Sequence, residues 1–380
     1  MDLAVRIALA KWLVEQSGAR SCVVENGGLL SGGAINANRL ILAELQGGSI
    51  AGHQSLVMRT PPKNFPLRSH NPVWEQAIMQ VARKQHVLTP EPLFASAGGT
   101  PTHRPFLIMR YVLGTTDPIK ITTCRELDPV RPRLTSDLGV MLARIHKIVP
   151  SQETAQNALK FLGAPPVSPA RRRIAELKEY HDLLTQPPPG LRWAIDWLGQ
   201  HPPSNQRICL CHGDFRIGNI LVDQGRITGV LDWEFASWSD PMEDIGWLCA
   251  RCWRFGADAR EVGGIGERSE FRWGYENERG KPIDWSSAAY WKILATVRWA
   301  IIAHHQGARG VAGSPNADEL ALTGRKAAEI EFDALEQIQK SAPLYGQSVT
   351  GIDQILAQSR CQLETTNPDF LVSRRFSQFD

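Results

Sequence analysis

A chain of 380 residues, 43% of them apolar, is long enough for one large bilobal unit or two domains and has ample material for a core. A net charge of +3, with its basic residues scattered rather than gathered, is too mild to argue for a nucleic-acid partner or an anionic membrane surface. Seven cysteines, an odd number without a secretory context, read as reduced thiols, and the apolar run over 293–303 is broken by Arg298, so no segment reads as a membrane span.

Asp2 opens an amphipathic stretch (Leu3, Val5, Ile7, Leu9, Trp12, Leu13) without the basic head or small-residue cleavage site of a leader, and a cytoplasmic location is expected. A strand beginning at Cys22 runs into Gly27-Gly28-Leu29-Leu30-Ser31-Gly32-Gly33, and further strands are predicted over 34–45 and 55–59. A glycine-rich turn between strands lets backbone N–H groups approach a phosphate without interference from Cβ atoms, although such turns are mostly structural. Asn71-Pro72 is an N-cap and first-turn signal for a helix with its apolar stripe at Val73, Trp74, Ala77, Ile78 and Val81, and with Glu75 at the border. Phe106-Leu107-Ile108-Met109 reads as a buried strand that leaves through Arg110-Tyr111-Val112.

In the second half, Leu134, Leu138, Met141, Leu142, Ile145 and Ile148 recur at helical spacing. Helices are expected over 168–184 and 191–198, and Asp240-Pro241-Met242-Glu243 is a further helix start. Residues 255–285 mix acidic, basic and aromatic side chains without clear periodicity; two long helices follow, over 287–305 and 318–338, and then a polar tail. Cys209-x-Cys211 and Cys249-x-x-Cys252 have the spacing of zinc ligands, but a strand and an apolar helix carry them, and core packing is the reading for both. The division expected is 1–112, 113–342 and a peripheral tail at 343–380.

The chemistry concentrates between 208 and 248. An apolar run delivers His212-Gly213-Asp214-Phe215-Arg216-Ile217-Gly218-Asn219, a second run leaves it, Gln224-Gly225 turns the chain, and a third run ends at Asp232-Trp233-Glu234. One carboxylate thus sits on a loop, an amide oxygen lies five residues on, and another carboxylate ends the returning strand. Phosphoryl transfer uses those parts: a carboxylate that orients and deprotonates the attacking hydroxyl, and an amide oxygen and a carboxylate that hold Mg²⁺ on nucleotide phosphates.

The pattern His-x-Asp-x4-Asn, with an Asp about a dozen residues later, resembles the core of the aminoglycoside phosphotransferase family, which includes choline-kinase-like members. The resemblance covers roughly residues 25–340 and is tight from 208 to 250. It implies an α+β, protein-kinase-like bilobal fold with a small β-rich N-terminal lobe and a larger, mostly helical C-terminal lobe. It implies a small-molecule kinase that uses ATP or GTP and Mg²⁺, with Asp214 as base, Arg216 near the transferred group, and Asn219 and Asp232 on the metal. By the same resemblance Ser31, Gly32 and Gly33 tip the phosphate-covering hairpin, and Arg59 stands where the family commonly has a lysine. Glu75 pairs with Arg59, Met109 backs the adenine pocket, and the backbone of Arg110 and Val112 meets the base. Glu234 is an outer helper, His212 shapes the catalytic loop, and Asp244 braces it. The partners expected are a nucleotide and a small hydroxylated acceptor, with no nucleic acid and no membrane; the oligomeric state is not legible. Glu and Arg side chains intermixed with Trp273, Tyr275, Trp285 and Trp291 point to a partly aromatic acceptor pocket and a metabolic hydroxyl rather than an antibiotic. The alternatives are a kinase-fold protein that binds nucleotide without turnover and a metal-dependent hydrolase.

Overall fold

A computed structural model describes residues 1–30, 36–62, 69–204, 207–311, 317–341 and 352–366. The chain has an α+β, kinase-like bilobal fold, with a small antiparallel sheet near its N-terminus and a mostly helical remainder. It divides into two compact units. The first comprises Met1–Pro165, Ile208–Asp244 and Phe255–Pro282, and the second Pro166–Arg207, Ile245–Arg254 and Ile283–Asp380. No helix among the described residues is long and apolar enough to cross a membrane.

The first unit opens with α1 (Leu3–Ser17), capped by the Asp2 carboxylate, which accepts from Val5 N at 2.8 Å. Its buried residues are Leu9, Leu13 and Ser17, whereas Leu3 and Ile7 are exposed, so the apolar stripe seen in the sequence is only half used. Strands β1 (Ser21–Leu29), β2 (Ala37–Gln46), β3 (Gly52–Thr60), β4 (Pro92–Ser96) and β5 (Phe106–Arg110) form one antiparallel sheet in the order β1-β2-β3-β5-β4. Leu9 and Leu13 meet Ile41, Leu56, Phe106 and Ile108 in its core, and Trp12 packs edge-on against Phe106 at 4.8 Å between ring centres.

Helix α2 (Pro72–Lys84) starts where the sequence places it: Asn71 Oδ1 accepts from Val73 N and Trp74 N, both at 3.0 Å. Its buried face differs from the expected stripe. Val73 and Trp74 are exposed, while Ile78, Met79, Val81 and Ala82 are buried together with Glu75. Trp74 lies flat on Phe161 at 4.9 Å, and Glu75 turns inward because a cation awaits it there.

The short helix α3 (Pro118–Thr123) leads to α4 (Arg131–His146), and α5 (Glu153–Ala158) follows. The hairpin strands β7 (Ile220–Asp223) and β8 (Arg226–Val230) pair antiparallel through Gln224-Gly225, both at positive φ, as a tight hairpin turn demands. Strand β6 (Cys209–Cys211) pairs with β9 (Ser237–Ser239), a partner too short to leave a signal in the sequence. Residues 255–285 are less irregular than their pattern implies, since a capping box between Glu267 and Glu270 opens a helix over Arg268–Arg279 that packs on α4. Close approach there requires glycine: a Cβ on Gly139 or Gly274 would run into the facing backbone.

In the second unit, α6 (Pro169–Asp182) and α7 (Pro189–Gln200) fall in the windows predicted for them. Helix α8 (Pro241–Cys249) begins in the first unit and ends in the second; after α9, the Arg268–Arg279 helix, comes α10 (Trp285–Val311). The single helix expected over 318–338 is two, α11 (Ala317–Arg325) and α12 (Ala327–Ser341). The break follows Gly324, whose backbone lies against Gly307 of α10, a contact that any side chain would prevent. The tail carries one more helix, α13 (Ile352–Thr366).

The aromatic acceptor pocket expected between 256 and 291 is not assembled from the residues named for it. Tyr275 and Trp291 are core residues, and Trp273 is two-thirds exposed.

Candidate active site

Every polar side chain of the site lies in the first unit, where three clusters form around the β7–β8 hairpin.

Arg59, at the end of β3, is 4% exposed and surrounded by three carboxylates. Its Nε lies 3.2 Å from Glu75 Oε2, its Nη2 lies 3.4 Å from Glu234 Oε1, and its Nη1 donates to Asp232 Oδ1. Burial alone would discourage its charge, but the three anions, Asp232 foremost, raise its pKa further above the ordinary range. The same cation acts on its partners. Burial opposes ionisation of Asp232, yet Arg59 holds the carboxyl below its usual pKa. Glu75 is raised, because burial and the neighbouring Asp232 outweigh Arg59 and the Trp233 N–H. Glu234 is pushed up to about 7, chiefly by burial, with Arg59 and the Asn36 amide pulling the other way. Asn36 Nδ2 donates to Glu234 Oε1 at 2.9 Å, and Trp233 N donates to Glu75 Oε1 at 3.3 Å. Asp232 itself takes a left-handed backbone, φ 65°, which ends β8 sharply and sets its side chain beside Arg59.

The second cluster is the catalytic-type loop. Asn219 Nδ2 donates to Asp214 Oδ2 at 2.7 Å and to Asp214 O at 2.9 Å, so the amide is oriented with its oxygen directed away from that carboxylate. Arg216 Nε reaches Asp214 Oδ1 at 3.1 Å and Oδ2 at 3.3 Å. In this structure Arg216 is thus a salt-bridge partner of the predicted base. Leu231 N donates to Asn219 O at 2.8 Å, so the residue before Asp232 is stitched to Asn219 across the mouth of the hairpin.

The third cluster holds the loop from behind. Asp244, at 0% exposure, accepts from His212 N at 2.7 Å and Gly213 N at 2.9 Å. His146 Nε2 lies 3.2 Å from Asp244 Oδ2, and His146 Nδ1 lies 2.9 Å from the Tyr275 hydroxyl. Burial works against the Asp244 charge, but His146, His212 and the Gly213 N–H keep its pKa below the ordinary value. His212 is also fully buried: its Nδ1 accepts from Asp214 N at 3.2 Å and its Nε2 lies 2.9 Å from Leu231 O, an arrangement that fits the neutral ring, in line with a pKa lowered by burial. Gly213 is at φ 80°, and a Cβ there would collide with Phe235 O. Cys209 and Cys211 lie near His146, with sulfurs 3.9 Å apart, and Cys211 donates to Asp240 O. Hydrogen bonding within the core accounts for this group, in keeping with the packing role read for the first cysteine pair.

The structure therefore brings together Arg59, Glu75, Asp232 and Glu234, then Asp214, Arg216 and Asn219, and then His212 and Asp244. Met109 is buried in β5 opposite Val57, and Arg110 N donates to Glu91 O at 2.9 Å, with Val112 half-buried beyond the strand. Ser31, Gly32 and Gly33 lie outside the described residues. Sequence reasoning missed Asn36 and His146 and gave Tyr275 a different role, in an acceptor pocket. Asn36 was hidden inside a strand prediction and His146 at the end of a predicted helix, and only three-dimensional proximity reveals their part in the site.

The model of the phosphotransferase enzyme family matches residues 29–280, ending short of residue 340, where the resemblance read from sequence was placed. Among solved structures, a Ralstonia eutropha protein named as an aminoglycoside phosphotransferase superimposes with a TM-score of 0.69 at 22% identity, covering 88% of this chain and 98% of that one. A second aminoglycoside phosphotransferase, complexed with GDP and kanamycin, gives a TM-score of 0.55 at 16% identity over 85% of this chain and 98% of its own. At such identities the likeness is one of fold. The chain is also 27% identical over 200 residues to the acyl-CoA dehydrogenase family member 10 of Mus musculus, covering 52% of this chain but only 18% of that protein.

Proposed function

Because the chain belongs to the phosphotransferase enzyme family, we propose that it transfers the γ-phosphoryl group of ATP or GTP to a hydroxyl of a small molecule. The observation that carries this reading is the placement of Asn219 and Asp232 at the two ends of one hairpin, tied by the Leu231 N to Asn219 O bond, with Asp214 bonded to Asn219.

The donor set fits magnesium: a carboxylate held ionised by Arg59 and an amide oxygen turned away from Asp214 are hard oxygen ligands. Mg²⁺ bound by Asn219 and Asp232 would supply charge neutralisation on the nucleotide phosphates. Arg59 grips the α- and β-phosphates from β3, oriented by Glu75. Met109, Arg110 and Val112 line the base. Asp214 accepts the proton of the attacking hydroxyl. Arg216, released from Asp214 as substrate enters, offers its guanidinium to charge developing on the transferred group. Asp244 and His212 keep the loop from drifting, which matters because displacements of about 1 Å at a reacting centre cost on the order of a hundredfold in rate. The acceptor is a small hydroxylated molecule.

Calorimetry with ATP and GTP, with and without magnesium, followed by a nucleotide-consumption screen over hydroxylated metabolites, tests the reading. Asp214→Asn is expected to lower turnover by about 10²- to 10⁴-fold, the usual worth of a general base, with nucleotide affinity nearly intact. Asp232→Asn is expected to weaken Mg-nucleotide binding itself. Equal damage to nucleotide affinity from both substitutions would show that the two carboxylates have been assigned the wrong roles.

A further inference from the structure

Arginine at the end of β3 raises a problem that a lysine there would not. A guanidinium presents five N–H donors in a fixed plane, and a buried one must satisfy each of them. Here Nε faces Glu75, Nη2 faces Glu234 and Nη1 faces Asp232. A metal ion that takes Asp232 Oδ1, or draws the carboxylate towards the nucleotide phosphates, would leave the Nη1 donor to be satisfied elsewhere.

Strand β2 carries a group suited to that need. Asn38 stands directly across from Arg59 in the β2–β3 register, so their side chains leave the sheet on the same face, with Cβ atoms about 5 Å apart. The Asn38 Oδ1 atom is buried and has no hydrogen-bond partner among the described residues. Two residues earlier, on the same side, Asn36 already holds Glu234 Oε1, the oxygen that Arg59 Nη2 also approaches. That carboxylate is therefore anchored independently of the guanidinium and stays in place if the guanidinium shifts.

We propose that Asn38 is a positioning residue for Arg59: its amide oxygen accepts the guanidinium N–H that Asp232 gives up when Mg-nucleotide binds. The pair forms a cradle particular to arginine, and it holds Arg59 on the phosphates without Asp232. This rests on the nucleotide reading above.

The test measures ATP and GTP affinity by calorimetry, with and without magnesium, for Asn38→Leu and Asn38→Asp, each made with Arg59 and with Arg59→Lys. Thermal midpoints without ligand establish that each variant is folded. Asn38→Leu is expected to weaken Mg-nucleotide binding about tenfold, the worth of one hydrogen bond to a charged group, and to leave magnesium-free binding unchanged. Asn38→Asp, which keeps an acceptor, is expected to bind at least as tightly as the wild type. With Arg59→Lys, Asn38→Leu should add nothing, because the donor it serves is gone. Additive losses in the two backgrounds, or equal losses with and without magnesium, would overturn the proposal while leaving the kinase reading standing. Failure of the wild type to bind either nucleotide would overturn both.

Discussion

Asp244→Asn is the most informative single substitution for the loop. The carboxylate is fully buried and accepts from His212 N, Gly213 N and His146 Nε2, one oxygen serving His212 and His146 and the other serving Gly213. An asparagine has one oxygen. Whichever way its amide is turned, one of the two backbone donors meets an NH₂ group. Stranding a buried N–H costs about 1–3 kcal/mol, and the remaining bonds lose their ionic component, roughly 1–2 kcal/mol more. The expected loss is therefore about 2–5 kcal/mol, or a fall in Tm of roughly 3–6 °C for a chain of this size. Urea denaturation at neutral pH measures it. The sign of the pH dependence provides a second check. The folded-state pKa of Asp244 is below its ordinary value, so its contribution is present above the unfolded pKa of about 3.9 and is lost as pH falls through the lower folded value. The variant should show a flatter acid limb than the wild type. A loss under about 1 kcal/mol with the acid limb unchanged would refute the assignment of Asp244 as the brace, since neither the bonds nor the charge would then be contributing.

Arg59→Ala leaves three carboxylates around a cavity and should cost about 3–5 kcal/mol at pH 8, but less at pH 5, where Glu75 and Glu234, both with raised pKa, take up protons; denaturant titrations at the two pH values compare them. Gly213→Ala forces a Cβ onto Phe235 O from a left-handed backbone, and a loss of at least about 2 kcal/mol with reduced turnover is expected from thermal melts and steady-state assays. Glu331 of α12 is buried, accepts from Leu191 N at the start of α7, and is pushed up to about 7 by its burial. A raised folded pKa stabilises fully below the unfolded value and loses that contribution as pH rises through about 7. Glu331→Gln should therefore raise stability at pH 8, by on the order of 3 kcal/mol at most, and change little at pH 4, as denaturant titrations at the two pH values would measure.

The site was legible where chemistry and chain order coincide. Asp214, Asn219 and Asp232 lie within one short strand-turn-strand segment whose lengths fix their approach, so their spacing in sequence is already a spacing in space. Asp244 was legible only through the family resemblance, since the helix start at Asp240 accounts for Asp240 and Glu243 and says nothing of a brace on the loop. The helical phase of α2 was not. Glu75 looks like a border residue by hydropathy, and only the presence of Arg59 on a different element turns it inward and leaves Val73 and Trp74 outside. The helix over Arg268–Arg279 escaped because its buried face is carried by Phe271, Gly274 and Tyr275, and a glycine used for close approach leaves no apolar signal. Of the aromatic residues read as an acceptor pocket, Tyr275 answers instead to His146 and Trp291 is buried in the core, which composition alone does not reveal.

The Arg59 cluster also has a history written in the order of synthesis. Arg59 and Glu75 leave the ribosome sixteen residues apart, whereas Asp232 and Glu234 follow Arg59 by 173 and 175 residues. At a translation rate of about 5–20 residues per second, the nascent sheet waits roughly ten to thirty seconds for its last two anions. During that interval Arg59 already has a counter-ion, and Glu75 is the carboxylate that lets β3 and α2 close around a charge. When the hairpin finally docks, Asp232 and Glu234 arrive at a cation already neutralised once, and the crowding of carboxylates that results helps to raise the pKa of Glu75 and Glu234. On the phosphotransfer reading proposed above, a divalent cation on Asp232 would relieve that crowding, so the last part of the site to be made would also be the part that meets the metal.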